Sequence, residues 1–347
     1  MRLDLRTLGL LGVGVCAVSL AAPLMAALVV PPLAIAFWRN AMATAAIAPV
    51  ALVGAVRGRP GESAGEGAGA GADTHLDLRA GRSFDPGRPS YASMHMSRPG
   101  LEGSPPAPGA TIAGAGTQRW LVVLAGVCLA AHFGFWVTSL TMTSVASSTA
   151  IVSLQVIWVA AHDVRGGMVL RRGLVLGVLL AVVGVVVVSG VDLSISARAL
   201  AGDGLALLGS FGVAAYAVIG GRVRQTMSTT TYTLGCYGTA AVVLLLATVL
   251  SGQALTGYDA DQWALLVVLA ATAQLLGHSV FNHLLATVSP MVVSLTILLE
   301  IPGASLVAAA WLGQVPGPAA FAGLVLVLAG MAVVILSAPA PEAEVVA

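Results

Sequence analysis

Runs of about twenty uninterrupted apolar residues recur along the whole chain, and a helix needs about that many to cross the hydrocarbon core of a bilayer. Counted by that rule, the sequence carries ten such runs, over residues 8–28, 32–54, 120–141, 144–162, 172–191, 203–222, 230–250, 263–285, 289–312 and 317–338. None alternates apolar with polar residues as barrel strands do, so an outer-membrane barrel is excluded. A water-soluble fold is excluded too. Of the 347 residues only 9% are charged, against about 25% in ordinary soluble domains, too few to cover a soluble surface. The expected fold class is an all-α polytopic membrane protein with ten transmembrane helices. The first run is not expected to be a cleaved signal peptide, because it continues through Pro31 and Pro32 into the second.

Orientation follows from the cations. All sixteen are arginines. With the N-terminus inside, the inner segments hold Arg2, Arg6, the arginines from Arg57 to Arg119, then Arg165, Arg171, Arg172, Arg222 and Arg224. Only Arg198 falls in an outer loop, and Arg39 lies within a span. Cationic short loops are retained on the cytoplasmic side, so both termini are expected there, in the cytoplasmic (plasma) membrane. Reporters fused after Arg57, Arg171 or Arg224 should therefore report cytoplasm, and fusions near Arg198 or Asp259 the outside. A periplasmic signal after Arg171 would overturn the ten-span order.

Residues 57–119 are a different material, rich in glycine and proline and nearly pure Gly/Ala/Glu over Gly61–Gly71. Such a composition does not bury a core. It is expected to be a disordered cytoplasmic loop in which His75 and His95 are solvated. The expected order is then helices 1–2 of a first repeat over 1–56, this loop, and helices 3–5 over 120–193. Helices 6–10 of a second repeat follow over 200–338, with a cytoplasmic tail over 339–347.

The division into repeats rests on self-similarity. A shift of 146 residues aligns the third to fifth spans with the eighth to tenth without a gap, placing His132 on His278, and Gly177 and Gly184 on Gly323 and Gly330. A shift of 197 aligns Leu8-Gly9-Leu10-Leu11-Gly12 with Leu205-Ala206-Leu207-Leu208-Gly209. The difference, 51 residues, is about the length of the loop, which reads as an insertion into the first copy. Five spans per copy invert the second copy relative to the first. A 5+5 inverted repeat is an architecture of secondary transporters, which bind substrate near the midplane between the copies.

Several motifs resemble the EamA family of the drug/metabolite transporter superfamily. They are Gly277-His278-Ser279-Val280-Phe281-Asn282-His283, Ser289-Pro290 and Glu300-Ile301-Pro302-Gly303-Ala304 in the second half. In the first half they are Pro31 to Arg39 at the start of the second helix, and Ser153-Leu154-Gln155 with Trp158 in the fourth. Val156 departs from the pattern where a proline is usual, and Gln314 departs where Gly-Glu is usual. The resemblance implies a ten-helix carrier of small metabolites, usually an exporter, in the cytoplasmic membrane.

Few residues can carry chemistry inside the membrane. Glu300 lies about ten residues into the ninth span, where a carboxylate is costly unless protonated, paired or facing water. It binds either a proton or a substrate amine, or else it hydrogen-bonds the backbone loosened by Pro302. Arg39 either holds a substrate carboxylate or an acid, or snorkels to the interface. Gln274, His278 and Asn282, at i, i+4 and i+8, share one helix face, and His132 and Trp136 repeat the spacing in the other copy. Both stripes line a cavity or serve as interhelical glue. Ser153, Gln155, Tyr216 and Thr296 are weaker candidates. His162, Asp163 and Arg165 read as an interfacial cluster, and the paired glycines as close-packing positions.

A net charge of +1 argues against a nucleic-acid partner. Cys16, Cys128 and Cys236 are scattered through apolar runs, so neither a disulfide framework nor a metal site is implied. No cofactor is expected. No His-Glu-x-x-His and no pair of membrane aspartates suggests an enzyme. The expected partners are a small-molecule substrate, membrane lipid and protons as a coupling ion, with a homodimer left open. The function expected is secondary transport of amino acids, related compounds or drugs. The alternatives are a structural or assembly membrane protein without transport, and a facilitative channel-like pore.

Overall fold

The computed structural model describes residues 4–57, 108–168, 171–190 and 196–336, and the described residues form helices and connecting turns with no strand. The helices are α1 (Leu5–Ser19), α2 (Ala21–Ala27), α3 (Pro32–Arg57), α4 (Pro108–Ser139), α5 (Val145–Val152), α6 (Gln155–Arg165) and α7 (Arg172–Gly190). They continue as α8 (Ala197–Val223), α9 (Thr229–Leu250) and α10 (Ala260–Leu269), then a π-helical segment over Ala270–His278 that runs into α11 (Ser279–Leu284). Last come α12 (Pro290–Ile297), α13 (Glu300–Leu312) and α14 (Pro318–Leu336).

Eight continuous or once-interrupted helical stretches are long and apolar enough to cross a membrane, from Leu5–Ala27 to Pro290–Leu312. The stretches expected as fifth and tenth spans are apolar but shorter, Arg172–Val188 and Pro318–Val334. The molecule is a multi-pass membrane protein. Leu5, Leu250 and Leu306 stand on its outside, as lipid allows, since hydrocarbon penalises exposed polar groups and not exposed leucine.

The stretch expected as a loop over 57–119 is shorter at its far end. Residues 108–119 are helical and continue into the third span. Pro108 takes the first helical position, where its missing N–H costs nothing, and no proline follows before Trp120 to stop the helix. The remainder of that loop, 58–107, and the tail over 339–347 lie outside the described residues.

Side-chain caps define the helix starts. Asp4, Ser144, Ser196, Ser228 and Ser289 each accept a backbone N–H from three residues on, satisfying one of the orphan donors of a helix start. Gly313, in the left-handed region at φ 68°, ends α13. At one end of the molecule the turn after α2 and the start of α3 are tied to the α9–α10 turn and the start of α10. Val29 N–H donates to Gln262 Oε1 at 2.7 Å, Leu33 N–H to Gln253 Oε1 at 3.0 Å, and Trp38 Nε1 to the Leu255 carbonyl at 2.8 Å. Gln118 meets Thr226 where α4 lies beside the end of α8.

The glycines singled out by the repeat meet face to face. A Cβ on Gly177 would lie 2.6 Å from the Gly330 carbonyl oxygen, and one on Gly184 2.6 Å from that of Gly323. The pairing runs in opposite numerical order, so α7 and α14 cross antiparallel with their backbones in contact. This seam is what small residues permit between membrane helices.

Candidate functional site

Glu300 opens α13 directly after a break in the ninth expected span, and Pro302 is the cause. Proline has no N–H to give the Leu298 carbonyl four residues back, and its ring crowds that carbonyl. The Leu298 oxygen takes the Ile301 N–H instead, at 3.2 Å, and the Leu299 N–H turns back to Thr296 O at 3.1 Å. The helix therefore restarts at Glu300. Its carboxyl group sits in the first turn, at the positive end of the new helix dipole.

Gln155 opens α6 in the same way. Val156, which occupies the place of Pro302 at the 146-residue shift, has an N–H to offer, and the helix breaks all the same. Ser153 Oγ donates to the Thr149 carbonyl at 2.8 Å, competing with the Ser153 N–H at 3.2 Å. The Val156 N–H then reaches Ser153 O at 3.3 Å, one residue short of α-helical register. Back-bonding by a serine hydroxyl bends helices. The departure at Val156 thus does not straighten this helix.

Gln155, Glu300, His132, Trp136 and His278 line one small cavity, closed by apolar side chains that include Val18 and Phe281. Its free space is about 20 Å³, room for a single water. Three of the groups around it are buried and unpartnered: Trp136 Nε1, Gln155 Oε1 and Glu300 Oε1. His132 Nδ1 lies 3.0 Å from the Gly209 carbonyl. A carbonyl only accepts, so Nδ1 carries the hydrogen and Nε2 is left as an acceptor. The His132 ring stacks on Trp136 at 5.3 Å and faces His278 at 6.4 Å between centroids. The cavity therefore holds two histidines from the two aligned segments, an acid, an amide and an indole, all within the membrane-spanning helices.

The other expected site residues sit behind this wall. Arg39 is fully buried. Its Nε donates to Gln274 Oε1 at 2.9 Å, Nη1 lies 3.5 Å from Met25 Sδ, and its guanidinium stacks 3.9 Å above the Phe133 ring. Phe133 in turn meets His278 edge-on at 5.3 Å. Arg39 Nη2 has no partner, and no ion pair joins it to Glu300, since the one pair within reach among the described residues is His162–Asp163 at 3.1 Å. Gln274 also donates to Asn40 Oδ1 at 3.2 Å. Asn282 is held at both ends of its amide: Tyr216 OH donates to its Oδ1 at 2.6 Å and its Nδ2 donates to Tyr237 OH at 3.2 Å.

The stripe expected over Gln274, His278 and Asn282 thus faces inward throughout, but only His278 reaches the cavity. The π-helical segment separates their directions, adding residues to the turn, and the Gln274 carbonyl accepts from Ser279 N–H and Ser279 Oγ. Asn40 and Tyr237 complete this network. Their only signal was a polar group inside an apolar run. Gln314 accepts from Val145 N–H at 3.4 Å, tying the turn after α13 to the start of α5. His162 and Asp163 stand at the exposed end of α6. A larger cavity, about 360 Å³, opens beside Gln314 and Ser305, but no acid or base lines it.

Comparison with known proteins agrees with this architecture. Residues 200–336 match the EamA-like transporter family. No curated protein matches the chain. One solved crystal structure superposes with a TM-score of 0.62 over 95% of this chain and 96% of its own, at 15% sequence identity. That likeness is one of fold.

Proposed function

We propose that the whole chain works as a secondary transporter, exporting small metabolites across the cytoplasmic membrane in exchange for protons, a reading supported by the match of residues 200–336 to the EamA-like transporter family. The observation that carries this reading is the meeting of two interrupted helices, at Gln155 and at Glu300, around one buried polar cavity. Interrupted helices near the midplane are how many carriers present polar groups to a substrate without exposing backbone to lipid. In this reading the chain has ten spans in a 5+5 inverted repeat with both termini inside. The cavity of His132, Trp136, His278 and Glu300 is the substrate site, supported by the Arg39–Gln274 and Asn282 networks.

In this reading the cavity, with room for about one water, is the substrate site in its closed form. Substrate enters when the half-helices of one side separate. The interlocked turns at Val29, Leu33 and Trp38 and the Gln314–Val145 contact are the closures that must open on one face. On the other, Arg224 ties the end of α8 to the Asn282 carbonyl at 2.8 Å and to Thr229 at 2.7 Å. Purified protein in proteoliposomes should show counterflow of preloaded substrate, in a screen of amino acids and organic cations with and without a pH gradient. A pore gives flux without counterflow, and an assembly protein gives neither.

A further inference from the structure

A groove in the lipid-facing wall of the molecule ends among cations. It runs between α6 and α7 and has a volume of about 450 Å³, with Ile157, Ala161 and Val164 on one side and Val175 and Leu179 on the other. Residues 157, 161 and 164 recur at helical spacing and so form one face of α6. The groove is there because the two helices are held by different neighbours. α7 is pressed on α14 through the glycine seam and on α5, whereas α6 packs against α8 and α12.

We infer that this groove binds an anionic phospholipid, with one acyl chain lying between α6 and α7 and the phosphate held by Arg165, Arg171 and Arg172. Apolar walls by themselves select nothing in a bilayer, because lipid tails are as apolar as the side chains that face them. The mouth of the groove makes the selection. Arg165 lines it directly, four residues past Ala161 and thus over the same face of α6. The chain then turns back, and Arg171 and Arg172 open α7 one turn before Val175, with the Arg171 carbonyl accepting the Val175 N–H at 3.1 Å. Three exposed cations therefore stand at one end of an apolar trough. Basic residues placed between helix ends at a membrane face are how lipid heads of net negative charge are held.

Little at that end competes with a phosphate. Among the described residues none of the three arginines joins an ion pair; the nearby acid, Asp163, meets His162 at 3.1 Å instead. Two residues from Arg165, Asp163 also points off another side of the helix. The last carbonyls of α6, which would repel an anion, are taken: His162, Asp163 and Val164 each accept an N–H from Gly166, Met168 and Gly167 in turn, all at 3.0 Å. The start of α7 adds the positive end of its dipole.

A second lipid-facing groove shows what the charge adds. It lies among α3, α4, α8 and α9, with about 400 Å³ and walls that include Leu33, Phe135 and Leu244, and no charged side chain lines it. Any lipid tail fits there equally. A second copy of this chain suits the α6–α7 groove poorly, since a two-fold contact repeats the same patch on both partners and would bring the arginines of each copy together. The inference holds whatever the central cavity carries. It bears on α6, the half-helix that begins at Gln155.

The test uses the purified full-length protein with phosphatidylglycerol and phosphatidylcholine of the same acyl chains in competition. Native mass spectrometry counts the lipid retained, and thermal unfolding in detergent reads the stabilisation. An arginine beside an anionic head is worth about fivefold in affinity, so the three should give a preference of about a hundredfold for one phosphatidylglycerol. Arg165→Gln should lower that preference about fivefold, and Arg165→Lys should keep it. Arg119→Gln, at an exposed arginine where the third span begins and away from the groove, should leave it unchanged. The preference should also shrink with salt, as the screening length falls from about 30 Å at 0.01 M to about 3 Å at 1 M. Ala161→Phe fills the groove, spares the arginines and should displace the lipid.

Equal retention of the two lipids overturns the inference. So does glycerol phosphate stabilising the protein as strongly as phosphatidylglycerol, which would leave the groove without a part. A lipid-free dimer that Ala161→Phe breaks would make the occupant a second copy and overturn it too. Should Ala161→Phe fail to fold, Arg165→Gln decides the matter from an exposed position: an undiminished preference there overturns the inference.

Discussion

Glu300→Gln is expected to abolish pH-driven flux while substrate exchange at equal pH survives. Glutamine keeps the shape of the side chain and one acceptor oxygen, so the cavity retains its form and part of its recognition. What it loses is the ability to gain and release a proton. Glu300 is 5% exposed with Oε1 unpartnered and lines the cavity, whereas the buried carboxyl of Asp203, which accepts from Ser147 Oγ, does not, so Glu300 is the carboxyl placed to carry a proton through the site. With one proton exchanged per substrate, each unit of pH difference supports about a tenfold concentration ratio, because one pH unit is worth about 1.4 kcal/mol. In proteoliposomes with a one-unit gradient the native protein should approach that ratio and the variant should remain at one. Exchange at equal pH should persist in the variant at higher substrate concentration. If Glu300→Gln concentrates substrate normally under the gradient, Glu300 is structural and the coupling group is another, such as His278.

Substitution in the glycine seam should act on folding rather than on transport chemistry. A Cβ on Gly184 meets the Gly323 oxygen at 2.6 Å and the Val327 nitrogen at 2.7 Å, and a Cβ on Gly330 meets the Gly177 oxygen at 2.5 Å. These are backbone atoms in rigid helices, so no side chain can step aside and α7 must move off α14. Gly184→Leu and Gly330→Leu should each destabilise the protein by ~1–3 kcal/mol, the usual cost of overpacking. Thermal unfolding in detergent and recovery of monodisperse protein measure it. Gly12→Ala is the control, since nothing lies within 4 Å of its Cβ position and alanine favours a helix over glycine. An unchanged midpoint for Gly184→Leu would mean that α7 and α14 do not pack through these glycines.

The sequence alone determined where the helices lie, because the thickness of the hydrocarbon core and the cost of unpaired backbone leave long apolar runs one solution. It also marked the break before Glu300, since Pro302 acts on its own helix through an absent N–H, and the glycine pairs of α7 and α14, whose lack of a side chain is itself the contact. Each of these is a local property. Span edges were less legible: nothing between Pro108 and Trp120 forces a helix, and its upstream extent depends on the span it joins.

Only the tertiary structure decided which polar side chains are free to meet a ligand. Gln274, His278 and Asn282 have the same pattern in sequence, yet Gln274 is held by Arg39 and Asn40, and Asn282 by Tyr216 and Tyr237. Their partners come from helices distant in the chain, and a polar group in an apolar medium is defined by whether its partner is present. The break before Gln155 was hidden for the same reason in miniature. Val156 lacks the feature that would announce it, and a hydroxyl back-bond like that of Ser153 to the Thr149 carbonyl also occurs at Thr44, Thr138 and Thr248 inside unbroken helices, so the residue type alone does not mark a break.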